Sequence, residues 1–362
     1  MRSYRPYCPG DDDAALLRLR ADVWGADHAH TTQRFLHWMY RSCPAGTGGG
    51  MVAVDGTDMV GFAGILAREA HVQGRTVRVA QCVDFMMHSR ARGGATAFRI
   101  MLQWARLCRE LGFDFGFGFP NANSHGLALS GKLRWTDAFW LDHLIRPLSR
   151  SAAPQGLMPG VPLDLVRGAT GLVKLACLAR AACSRCAHPE GHPLPLAQID
   201  ARIEALCQAV CASDSYLGLS RSSAYFDWRY LNHPVYRYDL IGWEIGEQLV
   251  GCLVASQRQL FGVPSLLLVE LLVDPRAPPG VAEALIRQLT SPEKAQKTPM
   301  LHALAVPGST MRDALARVGF VAIPKRANPK RFVMSVVDFN QRSPSPGDWQ
   351  RWHFQWGDMD VV

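Results

Sequence analysis

The chain has 362 residues, of which 48% are hydrophobic and 19% are charged. This composition excludes disordered, collagen-like and coiled-coil proteins, and the length suggests two domains. The formal charge of +8 fits a phosphate-bearing ligand, a nucleic acid or an ordinary basic surface, so charge alone does not choose a partner.

The N-terminal segment and the cysteines both bear on location. Met1–Asp13 contains no apolar core of signal-peptide length, and the ten cysteines are scattered without a regular framework. The most apolar stretch, Leu163–Ala182, is interrupted by four charged residues, which argues against a transmembrane helix. We therefore expect a cytoplasmic protein without a membrane span.

The first half of the chain predicts a helix, a hairpin, a long strand, a helix, a strand, a helix and a strand, which is a mixed α/β (α+β) pattern. The hairpin turns at Asp55-Gly56, and an apolar strand with a single acid follows at Val83–Met87. The next helix has one apolar stripe, formed by Phe98, Met101, Leu102, Ala105 and Cys108. Gly112 stands where the C-terminal cap of that helix belongs.

Small residues and two arginines fill the loop between that strand and that helix, Arg90–Ala97. Backbone N–H groups that no side chain obstructs, together with a helix dipole of about half a positive charge, form a site for a pyrophosphate group. The alternative is a tight turn into a helix whose arginines are solvated. The elements on either side of the loop favour the phosphate site.

The pattern of the first half returns in the second half. The matches, in order, are Trp38 with Trp228, Gly56 with Gly246, Val83–Met87 with Val269–Val273, Pro120 with Pro307, and Trp135 with Phe320. Their offsets lie between 185 and 190 residues. Ordered matches at one offset predict two related halves.

A segment rich in proline and small residues separates the halves. We place an N-terminal domain with the ligand site at 1–147, a linker with a helical segment at 148–212, and a C-terminal domain with a tail at 213–362. In the second domain the corresponding loop, 274–280, contains Pro278 and Pro279, which lack the N–H donors that a phosphate site requires. The C-terminal domain is therefore predicted to be degenerate.

The order of strand, Arg90-x-x-Gly93-x-Ala95, amphipathic helix, strand and then Asn123 with Leu129–Trp135 resembles the GNAT acyltransferase superfamily. The resemblance implies two tandem GNAT-like domains, each with a mixed, mostly antiparallel sheet flanked by helices. It also implies that the loop grips the pyrophosphate of acyl-coenzyme A, in a register that begins at Arg90 or at the Arg92-Gly93 pair. Backbone N–H groups of the preceding strand would hold the acyl carbonyl. The cofactor-binding residues implied are Met86, Met87, His88, Arg90, Arg92, Gly93, Gly94, Ala95, Thr96 and Asn123.

Some positions depart from the superfamily pattern. Ser130 stands where members often have a tyrosine that protonates the leaving thiolate, and a serine hydroxyl is a poorer acid. Water, Ser124 or His125 would then take that role. In the second half Gly308 and Leu315 stand at the asparagine and tyrosine positions, which supports a single competent cofactor site in the first half.

The candidate catalytic residues are Asp84, His88, Ser130 and Glu270. Strand alternation places Asp84 and His88 on one face, where a carboxylate or an imidazole accepts the proton of an attacking amine. Glu270 holds the position corresponding to Asp84 in the second half and would face the acceptor. Each residue has a structural alternative: an acid satisfied by nearby donors, a packed or surface histidine, or a relic carboxylate.

The sequence thus predicts an acyl-CoA-dependent N-acyltransferase of the GNAT type that transfers an acetyl or other acyl group to a small-molecule amine, such as an amino sugar or an amino-acid-like metabolite. The alternatives are a non-catalytic acyl-CoA-binding sensor and an aminoacyl-tRNA-dependent transferase. Basic residues that are spread without a dense run argue against nucleic-acid binding. The four residues Cys183, Cys186, His188 and His192 lack the usual zinc spacing, so no metal is expected. Two segments, Tyr225–Tyr230 and Trp352–Asp360, also resemble tandem GNAT proteins of bacterial surface-polysaccharide gene clusters.

Overall fold

The structure is a computed structural model that describes residues 2–92, 95–149, 152, 154, 156, 160–184, 186–324, 328 and 332–359. The strands are β1 (Ser3–Pro6), β2 (Gly49–Asp55), β3 (Asp58–Val72), β4 (Arg75–Met87), β5 (Phe115–Gly118), β6 (Thr136–Trp140), β7 (Asp142–Pro147), β8 (His192–Pro195), β9 (Gly218–Leu219), β10 (Asp239–Ile245), β11 (Gln248–Leu260), β12 (Val263–Val273), β13 (Met300–Ala305), β14 (Val321–Ala322) and β15 (Val333–Asp338). The helices are α1 (Asp13–Trp24), α2 (Gln33–Arg41), α3 (Ala95–Glu110), α4 (Ala122–Ala128), α5 (Leu163–Cys183), α6 (Ala201–Cys211), α7 (Ser223–Phe226), α8 (Val281–Arg287), α9 (Pro292–Lys297) and α10 (Thr310–Arg317).

The strands form two mixed sheets. The first has the order β1-β2-β3-β4-β5-β15-β6, with β9 paired to β3, and the second has the order β14-β7-β13-β12-β11-β10-β8. Among the named strands, the parallel neighbours are β4 with β5 in the first sheet and β12 with β13 in the second. The prediction of mixed, mostly antiparallel sheets flanked by helices is confirmed.

Each sheet includes a strand from the other half of the chain, and the first sheet also includes the short β9. β15, near the C-terminus, pairs with β5 and β6 of the first sheet, and β7, from the first half, pairs with β13 and β14 of the second. The sheets therefore do not divide along the domain boundaries predicted from the sequence. Those boundaries stay a prediction, and the exchange ties the two halves together.

Trp38 and Trp228, which are matched positions of the two halves, contact each other reciprocally. Each indole Nε1 donates to the backbone carbonyl of the other tryptophan at 2.9 Å, and the two rings stack with centroids 4.7 Å apart. The second repeat also begins earlier than the sequence indicated. β8 pairs with β10 as β1 pairs with β2, so part of the segment assigned to the linker is an edge strand of the second sheet.

Helix α3 packs on the first sheet with a buried face that includes Met101, Ala105 and Cys108 of the predicted stripe. Ile100 and Trp104 are fully buried, whereas Leu102, which was expected in the stripe, is 38% exposed. The indole of Trp104 donates to the carbonyl of Gly64 at 2.9 Å, and this bond sets the rotation of the helix. The predicted cap at Gly112 is confirmed, because its φ is 76° and the bonds of a Schellman motif close the helix.

Candidate active site

The candidate site lies where β4 and β5 separate. The two strands pair over Val79–Cys82 and Phe115–Gly118, but β4 continues to Met87 without β5 beside it. A cavity of about 960 Å³ opens at this separation, which is near the upper end for small-molecule sites. Its walls include Cys82, Asp84, Phe85, Gly118, Ser124 and His125 from the first half and Tyr236, Phe332 and Met359 from the second.

Asp84 is a fixed carboxylate on the wall of this cavity. Its φ is 52°, and the pairing of β3 with β4 shifts opposite it, so β4 has a bulge at this residue. Arg20 and Tyr40 both donate to Oδ2 of Asp84, the tyrosine at 2.6 Å, and the Asp84 side chain is only 6% exposed. Non-glycine residues seldom adopt a positive φ, and those that do cluster at functional sites.

Tyr40 and Arg20 both hold the carboxyl group of Asp84 by hydrogen bonds. Burial, and then the Asp84 carboxylate, raises the pKa of Tyr40 well above its usual value, so the phenol remains a proton donor to Oδ2. The Arg20 side chain is fully buried and also donates to the carbonyl of His30 at 2.6 Å. No described residue donates to Oδ1 of Asp84, which leaves this oxygen for a ligand.

A histidine–carboxylate pair lies on the α4 side of the cavity. His125 Nε2 is 2.9 and 3.0 Å from the two oxygens of Asp137 on β6, and Ser335 Oγ on β15 donates to the same carboxylate at 2.8 Å. The edge of the imidazole meets the ring of Trp140, with centroids 5.4 Å apart. Because Asp137 holds Nε2, Nδ1 is the nitrogen that can exchange a proton with a ligand. The sequence offered His125 only as one substitute for the missing tyrosine.

The structure also describes Asn123 and Ser130, two predicted site residues on this side. Asn123 is exposed and is not among the described residues that line the cavity; Asn121, which caps α4 together with Ser124, does line it. Ser130 Oγ is buried and has no hydrogen-bond partner among the described residues. A buried hydroxyl without a partner is a group that a ligand can satisfy.

The predicted phosphate loop lies at the start of α3. Arg90 Nη2 donates to Asp58 at 2.6 Å in an exposed ion pair, and Arg92 Nε donates to the carbonyl of Met87 at 3.2 Å. Thr96 is buried and its hydroxyl accepts a hydrogen bond from Arg2 at 2.7 Å. Ala95 is the first residue of α3. Gly93 and Gly94, the centre of the predicted site, lie outside the described residues.

Only part of the predicted carbonyl-binding strand faces the cleft. The N–H of His88 donates to Val60 on β3 at 3.0 Å, and Met86 pairs with Phe62 on β3, so these groups are used within the sheet. Alternation along the strand turns the backbone of Met87 toward the open side. The imidazole of His88 accepts from the N–H of Arg90 and lies 3.7 Å from the Asp22 carboxylate on α1, outside the cavity lining.

The residues around the cleft offer groups that an extended, phosphate-bearing ligand can use. Gly118 has no side chain at the mouth of the cleft, where a Cβ would lie 3.3 Å from the Cβ of Cys82. Alternation turns the N–H of Met87 to the same side, and the Ser130 hydroxyl has no hydrogen-bond partner among the described residues. Arg90 and Arg92 supply positive charge at the start of α3, where a diphosphate is favoured.

The second half repeats the acid and its partners, but buries them completely. Glu270, which was predicted to face the acceptor, is 0% exposed and accepts from Arg221 Nε and from Tyr230 Oη, both at 2.9 Å. Burial pushes the pKa of Glu270 upward, but Arg221 and His353 outweigh it and hold the pKa at about 2. Arg221 also donates to Asp358 at 2.6 Å, so one guanidinium joins two buried carboxylates.

The C-terminal segment covers the acid of the second half. β12 and β13 pair over Ser265–Leu267 and Met300–His302 and then separate, as β4 and β5 do. Residues 353–358 lie against the unpaired part of β12, where Gln355 Nε2 donates to the carbonyl of Leu271 at 2.7 Å. A Cβ on Gly357 would lie 3.1 Å from Glu270 Oε2, so this segment leaves no room for a ligand beside Glu270.

His30 forms part of the cavity wall that faces Asp84. It stacks on Phe35 with ring centroids 4.1 Å apart, and its Nε2 is 3.1 Å from the Tyr236 hydroxyl. Burial, assisted by His28, lowers the pKa of His30 to about 4, and burial together with Arg229 lowers that of His233 to about 2. Both imidazoles are therefore neutral in the folded protein near pH 7.

The two neutral histidines predict a pH-dependent stability. In the unfolded chain each takes up a proton below about pH 6.5, whereas the folded protein excludes it, so stability is complete above pH 6.5 and falls toward pH 4. We expect a loss of about 1–2 kcal/mol per histidine at pH 5. Urea unfolding between pH 7 and pH 5 should show a shallower slope for His30→Phe than for wild type; equal slopes would contradict neutral burial of His30.

The described residues also bear on metal binding and on membrane spanning. No group of three or more histidine, cysteine, aspartate or glutamate side chains in that part of the chain is arranged to hold a metal ion. None of its helices combines the length and the apolar character needed to cross a membrane.

The comparisons with known proteins agree with this geometry. No family model matches the chain, and no curated protein matches it in sequence. Among solved structures, a probable N-acyltransferase from Enterococcus faecalis superposes with a TM-score of 0.64 at 10% identity, over 94% of this chain and 73% of that one. A GCN5-related N-acetyltransferase from Anabaena variabilis gives 0.61 at 9% identity, over 92% and 72% of the two chains.

A tandem architecture is also matched. A tandem GNAT protein from the clavulanic acid biosynthesis pathway superposes with a TM-score of 0.57 at 14% identity. The match covers 95% of this chain and 100% of that one, so both halves of this chain are included. The chain has the fold of tandem GNAT proteins.

Proposed function

We propose that the protein is an acyl-CoA-dependent N-acyltransferase with one donor site, in the first half. The observation that carries the proposal is the cleft between β4 and β5, which opens into a cavity with Asp84 and His125 on its walls. A donor in this cleft and an acceptor in the cavity would meet beside these two side chains. The acceptor is proposed to be a small amine, such as an amino sugar or an amino-acid-like metabolite.

The residues of the first half divide into a donor site and a reaction site. Arg90, Arg92 and the start of α3 would hold the diphosphate, and the backbone of Met87 would bind the arm or the carbonyl of the donor. When bound, acyl-coenzyme A supplies an activated thioester carbonyl. The second half would contribute Tyr236 and Phe332 to the wall of the acceptor cavity.

Asp84 and His125 are proposed to handle the acceptor and the proton. Arg20 and Tyr40 both donate to Oδ2 of Asp84, which leaves Oδ1 to orient the amine. Because the two donors already hold the carboxylate, Asp84 would be a weak base. As the amine nitrogen bonds to the thioester carbon, Nδ1 of His125, held by Asp137, would take up the proton that the nitrogen loses and deliver it to the sulfur when the carbon–sulfur bond breaks. His125 would thus take the role of the tyrosine that superfamily members often have at the position of Ser130.

The proposal is tested by calorimetric titration of acetyl-CoA and longer acyl-CoA esters into wild type, Arg90→Glu and Arg276→Glu. Arg276 is the matched control, because it holds the corresponding place in the loop of the second half and also forms an exposed pair, with Asp274. We expect one bound ester per chain, and affinity about tenfold or more weaker in Arg90→Glu, since a cation that meets a phosphate becomes an anion. Arg276→Glu should bind as wild type does.

The other outcomes discriminate among functions. Absence of binding to every thioester would overturn the proposal. Equal losses in the two variants would contradict assignment of the donor to the first half. Binding should be followed by release of free thiol when a panel of amino sugars and amino acids is added; binding without release with any amine would favour a sensor.

A further inference from the structure

Helix α5 presents an apolar face to solvent on the side away from the protein. Val166, Thr170 and Cys177 are its buried residues, and they lie on one face, against β7 and α10. On the outer half of the helix, four leucines are largely exposed: Leu165 at 64%, Leu172 at 70%, Leu175 at 53% and Leu178 at 47%. Single exposed leucines are ordinary, but a row of them on one helix marks an interaction surface.

Small and apolar residues fill the space between these leucines. At about 100° per residue, Gly168, Ala179 and Ala182 project on the same outer half as Leu172 and Leu175. From Leu165 onward the outer face is therefore apolar over five turns of the 21-residue helix, and the polar side chain on this face is that of Asp164 in the first turn. This helix is apolar on two opposite sides, and the protein covers one of them.

The cations of α5 lie on its flanks. Arg167 and Lys174, seven residues apart, lie along one flank, and Arg180 on the other donates to the carbonyl of Ala316 at 3.1 Å. The carboxylate of α5 is Asp164 in the first turn, and Arg167 lies 3.5 Å from it. Cations that border an apolar face meet anionic headgroups when that face enters the interfacial region of a bilayer.

We propose that α5 lies on the surface of a membrane that contains anionic lipids, with its four exposed leucines in the interfacial region. A second copy of the chain is the less suitable occupant, because each copy has a formal charge of +8 and the helix adds cations at the contact. An anionic lipid surface attracts the same charges. The proposal does not depend on the proposed enzymatic function.

Vesicle flotation tests this proposal with the full chain. Wild type is expected to float with vesicles of phosphatidylcholine and phosphatidylglycerol, more strongly than with phosphatidylcholine alone and less strongly at high salt. Leu172→Glu combined with Leu175→Glu should reduce binding about tenfold or more, because two exposed leucines are replaced by anions. The matched control is Leu111→Glu with Leu129→Glu, two leucines that are 48% and 41% exposed elsewhere on the surface.

Several results would overturn the proposal. One is failure of wild type to bind anionic vesicles. Another is an equal loss of binding in the control pair, which would place the contact outside α5. A third is self-association of wild type that the Leu172 and Leu175 changes abolish without any vesicle binding, which would assign this face to a second copy. Circular dichroism and thermal melting establish that each variant is folded.

Discussion

Replacing Arg221 with methionine is expected to lower the free energy of unfolding by about 3–5 kcal/mol. The side chains of Arg221, Glu270 and Asp358 are at most 1% exposed, and the guanidinium bonds both carboxylates. Methionine fills much of the same volume but leaves two buried anions without the cation that pairs with them. Urea unfolding monitored by tryptophan fluorescence at pH 7 measures the loss.

The control and the pH dependence separate this effect from a simple packing defect. Arg276→Met, at an exposed ion pair, should leave stability nearly unchanged. Because the pKa of Glu270 is about 2 in the folded protein, the wild-type pair contributes its stability above pH 4.5 and loses it as the pH falls toward 2. The difference between wild type and Arg221→Met should therefore shrink in acid. A difference that is constant with pH would contradict the charge argument.

The same arrangement of an acid, an arginine and a tyrosine is open to a cavity in the first half and covered in the second. Asp84 and Glu270 each lie on a long strand that extends past its parallel neighbour. Asp84 accepts hydrogen bonds from Arg20 and Tyr40, and Glu270 accepts from Arg221 and Tyr230. Each tyrosine follows one of the paired tryptophans by two residues. Asp84 reaches a cavity, whereas the C-terminal segment covers Glu270. The degenerate character proposed for the second half therefore has a second basis besides Pro278 and Pro279.

The repeat could be predicted because its signals are local. Turn glycines, an apolar strand with one acid and a tryptophan before a proline recur in both halves. Trp38 and Trp228, which the common offset matches, also bond to each other in the structure, as symmetry between the halves would require. The loop and helix of the donor site were predicted on the same basis, from residues within about thirty positions of one another.

The exchange of β7 and β15 could not be predicted, because the partner of a strand is decided by tertiary packing rather than by the strand's own residues. Ser335, which bonds to the Asp137 carboxylate that holds His125, is 198 positions from Asp137 in the chain. The residues around His125 therefore could not indicate this hydrogen bond. The expectation that His88 shares a face with Asp84 assumed regular alternation. The bulge at Asp84 breaks that alternation, and His88 consequently lies near Asp22.

Replacing His125 with alanine is expected to lower kcat for acyl transfer by about 10²- to 10⁴-fold, which is the usual contribution of a positioned acid or base. The affinity for acyl-CoA should remain within about twofold of wild type, because the imidazole acts on the proton and the diphosphate lies elsewhere. Asp137→Asn should have a smaller effect, since the ring remains but loses the carboxylate that orients it and stabilises its protonated form. Thiol release in the presence of the amine identified by the acceptor panel measures each variant.

Added imidazole distinguishes a chemical role of His125 from a structural one. In His125→Ala the missing ring leaves space beside Asp137 and Trp140, so free imidazole should restore part of the rate, with a pH profile that follows the added base. His192→Gln is the matched control, because His192 also lies near a carboxylate, at 3.9 Å from Glu244, but is 66% exposed and is not among the described residues that line the cavity. This variant should keep wild-type turnover. A full rate in His125→Ala would remove the histidine from the mechanism and return the role of the acid to water or to Ser130.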